Sequence, residues 1–86
     1  MQVQLPFILR QIAGEYVLVP VGASTRAVNG LISVNEIGAF LWEHIPEAAD
    51  DDALVDLVCD TYEVERDTAA ADVGEFLKQL RDLKIL

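Results

Sequence analysis

The chain has little of what most enzymes use. Its 86 residues include one Cys, one His, one Trp and one Met, with three Pro and five Gly. The lone Cys59 excludes an internal disulfide framework and fits a reducing compartment. Basic residues are scarce: six Lys and Arg stand against fifteen Asp and Glu, a formal net charge of −9. That balance repels a phosphate backbone and an anionic membrane surface alike. No charged leader precedes an apolar run, and no apolar run approaches membrane-spanning length. A cytoplasmic location is the expectation. What is plentiful is apolar: 52% of the residues are hydrophobic, enough for residues 1–86 to close one modest core as a single domain.

Strand character fills the first third. The stretches "FILRQI" (Phe7–Ile12) and "EYVLVPV" (Glu15–Val21) are rich in β-branched and aromatic residues, and Ala13-Gly14 between them suits a tight hairpin turn. Pro20 cannot donate to a ladder, so it belongs at a strand end or an outward edge. "GASTRAVNG" (Gly22–Gly30) reads as a polar loop closed by an Asn-Gly turn. "LISV" (Leu31–Val34) is a third, short strand. Three strands in series with short links form an antiparallel meander with the first and third at its edges.

Three helices follow. Ile37, Phe40, Leu41, His44 and Ile45 keep helical spacing, with Asn35 as N-cap and Pro46 as stop. Leu54, Leu57, Val58, Thr61 and Tyr62 repeat the pattern after Asp50-Asp51-Asp52, where Asp50 caps and the carboxylates suit a helix N-terminus. The last helix is expected to start from Asp67 and to carry Val73, Phe76, Leu77, Leu80 and Leu83 on one face. Lys78, Arg81 and Lys84 complement its dipole. The expected order is βββααα, an α+β fold.

Groups for catalysis are hard to find. His44 lies on or beside an apolar stripe, as packing or helix-end histidines do. Cys59 sits mid-helix with no CxxC partner, as a buried, inert thiol does. The contiguous carboxylates at residues 50–52 diverge in direction and lack EF-hand spacing, so capping and a solvated face explain them better than a metal. There is no phosphate loop, nucleophile elbow or zinc spacing. The expectation is no catalytic residue, no metal, no cofactor and no enzyme. The third strand, by contrast, has no charge to stop another chain pairing with it, although proteins usually protect such edges. An open edge beside an amphipathic helix suits β-augmentation. Cover by a second copy, or a strand too short to matter, fits the residues equally well.

"NGLISVNEIGAFLWEHI", followed by "DDDALVDLVCDTYEVERDTAAADVGEFLKQLRDLKIL", resembles the PqqD-like family of small peptide-recognition elements. The shared features are Asn35 at the strand–helix join, Gly38 three residues on, Leu41 and Trp42 on the same helix, the Tyr62–Val64 joint and the closing helix. The resemblance runs from Phe7 onward and implies a winged-helix-like fold, with a three-stranded antiparallel sheet followed by three helices. It also implies that the leader of a ribosomally made precursor peptide adds to the third strand and lies against the last helix. Carried onto this chain, the strand contacts are Leu31, Ile32, Ser33 and Val34. The helix wall comprises Thr68, Ala71, Asp72, Glu75 and Gln79, with Asn35, Gly38, Leu41 and Trp42 as scaffold. Ala69, Ala70 and Ala71 make room for a peptide or simply favour a helix. The implied partner is a modifying enzyme of the radical S-adenosylmethionine type.

Two other functions share this fold class. A winged-helix DNA-binding regulator would read DNA with the last helix, but the net charge of −9 opposes it. A structural adaptor would pair its own edge as a homodimer.

Overall fold

The computed structural model describes residues 1–27 and 30–86. Its sheet starts from the turn at Ala13-Gly14, where φ is +52° and +82°. Positive φ at both central residues is what a two-residue type I′ hairpin requires, and its twist matches that of the flanking strands. The turn joins β1 (Phe7–Ile12) to β2 (Glu15–Pro20) in unbroken antiparallel register, from Ile12 opposite Glu15 to Phe7 opposite Pro20. β3 (Ile32–Val34) pairs with the other side of β2, Leu18 opposite Ile32 and Tyr16 opposite Val34. The order is therefore β1-β2-β3, with both outer strands at edges.

Two sequence expectations need correction here. The polar segment after β2 contains one helical turn, α1 (Ser24–Ala27), with the Thr25 hydroxyl donating to the Gly22 carbonyl at 2.8 Å. Four residues are too few for a periodic signal to reveal. The strand ladder of β3 also starts one residue later than expected, leaving Leu31 outside it and 58% exposed. The anticipated Asn-Gly turn falls partly on residue 29, outside the described residues.

The three long helices are α2 (Glu36–His44), α3 (Asp51–Tyr62) and α4 (Arg66–Asp82). Asn35 caps α2 by accepting from the Gly38 N–H at 2.7 Å, and Asp50 caps α3 by accepting from the Ala53 N–H at 2.9 Å. Pro46 falls in a short 3-10 turn, Ile45–Glu47, that ends α2. Glu63 closes α3 in the left-handed region at φ +54°. The start of α4 differs from expectation: Glu65 holds the cap position without a side-chain bond, and Asp67 lies inside the first turn. There its carboxylate faces the positive end of the dipole instead of capping it.

One core joins these elements. Leu18 and Ile32 from the sheet meet Leu41, Ile45, Leu54, Val58, Val73, Leu77 and Leu80 from the helices, and Ile85 completes it. Leu83, expected on that face, lies beyond the helix and is 37% exposed, while Ile85 is fully buried in its stead. The Ile85 carbonyl accepts from the Gln4 N–H at 2.6 Å, tying the two ends of the chain together. Arg81 makes a two-pronged contact with Asp51, and Arg66 pairs with Asp56, so the α3–α4 hairpin is clamped along its length. Each arginine is held above its ordinary pKa, first by the hydrogen bond to its aspartate.

At Gly38 the sheet and two helices approach closely. A Cβ built there would lie 3.1 Å from Val34 Cβ and 3.2 Å from Phe76 Cε1. Alanine gains about 1 kcal/mol of helix propensity over glycine. Overpacking a tight site costs about 1–3 kcal/mol. Val34 Cβ is fixed to the backbone of β3, so the clash dominates. Gly38→Ala is expected to lower stability in urea by about 1 kcal/mol; a gain of the propensity term instead would show that the junction yields.

Candidate functional site

Hairpin geometry decides which backbone groups of β3 are free. In a two-residue hairpin the residues flanking the turn exchange both hydrogen bonds, and this pairing recurs at every second residue. Glu15, Val17 and Val19 therefore point their backbone groups at β1, and Tyr16 and Leu18 at β3. The Val21 N–H continues the alternation by donating to the Pro6 carbonyl at 3.3 Å. Tyr16 and Leu18 face Val34 and Ile32, so these two residues bond inward. Ser33 turns its N–H and C=O away from the sheet.

A cleft of about 170 Å³ opens beside that free edge. Ser33 and Val34 form its strand side, and Asp72, Glu75 and Gln79 form its helix side. Its floor is Asn35, Ile37, Gly38 and the ring of Phe76. The spacing of Asp72, Glu75 and Gln79 places them on one face of α4. A shallower groove continues past Ser33 toward Gly14, Glu15 and Tyr16. Another follows α4 from Glu75 and Gln79 to Asp82 and Leu83. Asp72 and Glu75 make no ion pair among the described residues, whereas nearby Lys78 is taken by Asp82 at 2.7 Å. The cleft is thus largely polar, with Ile37, Gly38 and Phe76 as its apolar part and carboxylates along its α4 side.

Neither the single His nor the single Cys lines it. His44 packs at a tilt against Phe40 with centroids 4.5 Å apart and lies 3.8 Å from Glu47, at the end of α2. Cys59 is half-buried on α3. Among the described residues, no three His, Cys, Asp or Glu side chains gather as a metal set. Also among them, no helix is long and apolar enough to cross a membrane. Burial pushes the Tyr62 phenol above its ordinary pKa, with Glu36 and Glu43 adding to the effect. Its ring meets Phe40 edge-on at 5.3 Å, a packing arrangement.

The family model for coenzyme PQQ synthesis protein D matches residues 15–86. The chain belongs to the PqqD family. Its fold is also similar to a solved structure of TbiB1 in complex with the TbiA(beta) leader peptide. That match has a TM-score of 0.71 and 23% identity, over all of this chain and 94% of the other. No curated protein matches significantly.

Within this PqqD-family chain, Ser33, Val34, Asp72, Glu75 and Gln79 come together around the cleft, and Asn35 and Gly38 form part of its floor. Thr68 and Ala71 are exposed on α4, on the turn before Asp72 and outside the cleft lining. Ile32 turns its side chain into the core and its backbone toward β2. Leu31 projects into solvent. The alanine patch is divided, because Ala69 is fully buried while Ala70 and Ala71 are exposed. Leu41 is fully buried, and Trp42 meets Phe7 edge-on at 6.3 Å, joining α2 to β1.

Sequence reasoning placed Phe76 in the core and missed it, with Ile37, as cleft floor. The available signal was Gly38 itself, since a glycine in a first helical turn announces a close neighbour. Asn35→Ala removes the acceptor of the Gly38 N–H and should cost about 1 kcal/mol. Faster amide exchange confined to the first turn of α2 is the expected signature; exchange spread evenly over the chain would contradict it.

Proposed function

We propose that this chain is a non-catalytic module that binds the leader of a ribosomally made precursor peptide by strand addition and presents it to a modifying enzyme. The observation that carries this reading is the free backbone of Ser33 directly above a cleft walled by α4. An added strand would hydrogen-bond Ser33 and send alternate side chains down onto Ile37, Gly38 and Phe76. Membership of the PqqD family supports the reading, as does the similarity to TbiB1, which is bound to a leader peptide. Residues 1–86 act as one domain in the reducing cytoplasm, and a radical S-adenosylmethionine enzyme is the partner that the family resemblance implies.

The unpaired carboxylates of Asp72 and Glu75 select for peptides with a basic residue near the inward-facing apolar one. They also argue against DNA, whose phosphates would meet a negative rim on α4. In the double variant Asp72→Asn with Glu75→Gln, association of a lysine-bearing leader should slow, and its salt dependence should flatten. The effect arises because charges steer encounter over roughly 10 Å at 0.1 M salt. An unchanged association rate in stopped-flow measurements would remove steering from the mechanism.

The strand addition itself is tested with proline, which lacks the N–H that a ladder needs. Ser33→Pro removes an outward donor and should abolish binding of a leader peptide encoded beside this gene, with helical circular dichroism retained. Ile32→Pro removes a donor to β2 and should unfold the sheet. Ser33→Thr keeps the donor and should bind near normally. Unaltered affinity in folded Ser33→Pro protein would place the peptide elsewhere.

A further inference from the structure

The sheet has a second open edge, and it is the longer one. β1 runs for six residues against the three of β3. By the same alternation, Phe7, Leu9 and Gln11 point their N–H and C=O groups away from β2. The usual protections are missing: no Pro or Lys occurs within "FILRQI", and its continuous register with β2 contains no bulge. Arg10, its one charge, stands on the outer face of the sheet and does not block the pairing direction. Among the described elements, only β2 packs extensively along β1.

We propose that β1 pairs with β1 of a second copy of this chain, antiparallel and centred on Leu9. In this two-fold register Leu9 exchanges both bonds with Leu9 of the second copy, and Phe7 does so with Gln11. The sheet then becomes six strands in the order β3-β2-β1-β1-β2-β3, and both β3 edges stay open. This inference goes beyond the leader-binding reading and does not depend on it.

Charge selects both the partner and the register. Of the fifteen carboxylates only Glu15 precedes residue 35, where it is accompanied by Arg10 and Arg26. The sheet half is therefore close to neutral in a chain of net charge −9, and two copies can meet there without bringing acidic helices face to face. Centring on Leu9 sets Arg10 opposite Ile8 of the second copy, so that its aliphatic stem covers a side chain left 41% exposed in the single chain. Moving the centre to Arg10 would set two guanidinium groups directly opposite, which is destabilising.

Sedimentation equilibrium on the full chain, from micromolar to millimolar protein, reads the association. The wild type should show a monomer–dimer equilibrium. Ile8→Glu places a carboxylate opposite Arg10 at two symmetric points and should tighten the dimer by about 2- to 30-fold. Ile8→Lys should weaken it by a similar factor. Gln11→Pro deletes an outward donor and should give monomer, whereas Ser33→Pro should leave the dimer intact. A wild type that stays monomeric overturns the proposal. So does a dimer indifferent to both charges at position 8, or one lost in Ser33→Pro. Should Gln11→Pro fail to fold, the opposite responses of Ile8→Glu and Ile8→Lys still decide the question.

Discussion

Gly38 lies where the end of β3, the first turn of α2 and the ring of Phe76 on α4 converge, and the missing side chain lets them meet. Val34 and Phe76 stand close enough that a single added carbon would press on both. Asn35 adds the second half of the constraint by ending the strand and capping the helix through the Gly38 N–H. Together these residues set the depth of the cleft and the distance from the free edge of β3 to the wall of α4. If α4 stood farther off, a strand added to β3 would find no surface beneath it. If it stood nearer, no strand would fit.

The two edges of the sheet differ in what lies beneath them. Beside β3 there is a cleft that holds Ile37 and Phe76 below and, above, the carboxylates of Asp72 and Glu75, which make no ion pair among the described residues. Beside β1, among the described elements, only β2 packs extensively, and the neighbouring charge is slight. Main-chain hydrogen bonds are open at both edges but carry no sequence preference, so selection must come from the surroundings. On the proposed readings, a cleft with a charged rim would discriminate among peptide sequences, whereas a nearly neutral edge would suit a strand identical to itself.

Acidic residues serve different purposes along the chain. Asp50 caps α3, Asp51 and Asp56 hold Arg81 and Arg66, and Asp82 occupies Lys78. These surface pairs orient the helical hairpin more than they stabilise it, because solvent and salt screen them. With those bases occupied, Asp72 and Glu75 remain uncompensated beside the cleft. The surplus of carboxylates in the composition thus becomes a local property of the site because the bases nearest to it on α4 pair with other aspartates.

Local signals determined most of the architecture. Ala13-Gly14 between two β-branched runs specified the hairpin, Asn35 and Asp50 specified two helix starts, and apolar spacing specified the three long helices, because each depends on neighbours within a turn or two. The family resemblance pointed to the third strand and the last helix as the site. The single turn Ser24–Ala27 was too short to carry a period, and Asp67 looked like a cap because capping depends on backbone angles that residue type only suggests. Which of Ile32 and Ser33 turned its backbone outward awaited the register with β2, since alternation along a strand has no origin until a partner supplies one. Phe76 became cleft floor, and Asp72 and Glu75 a free rim, only when α4 packed against Gly38, an approach between residues nearly forty positions apart that no local pattern records.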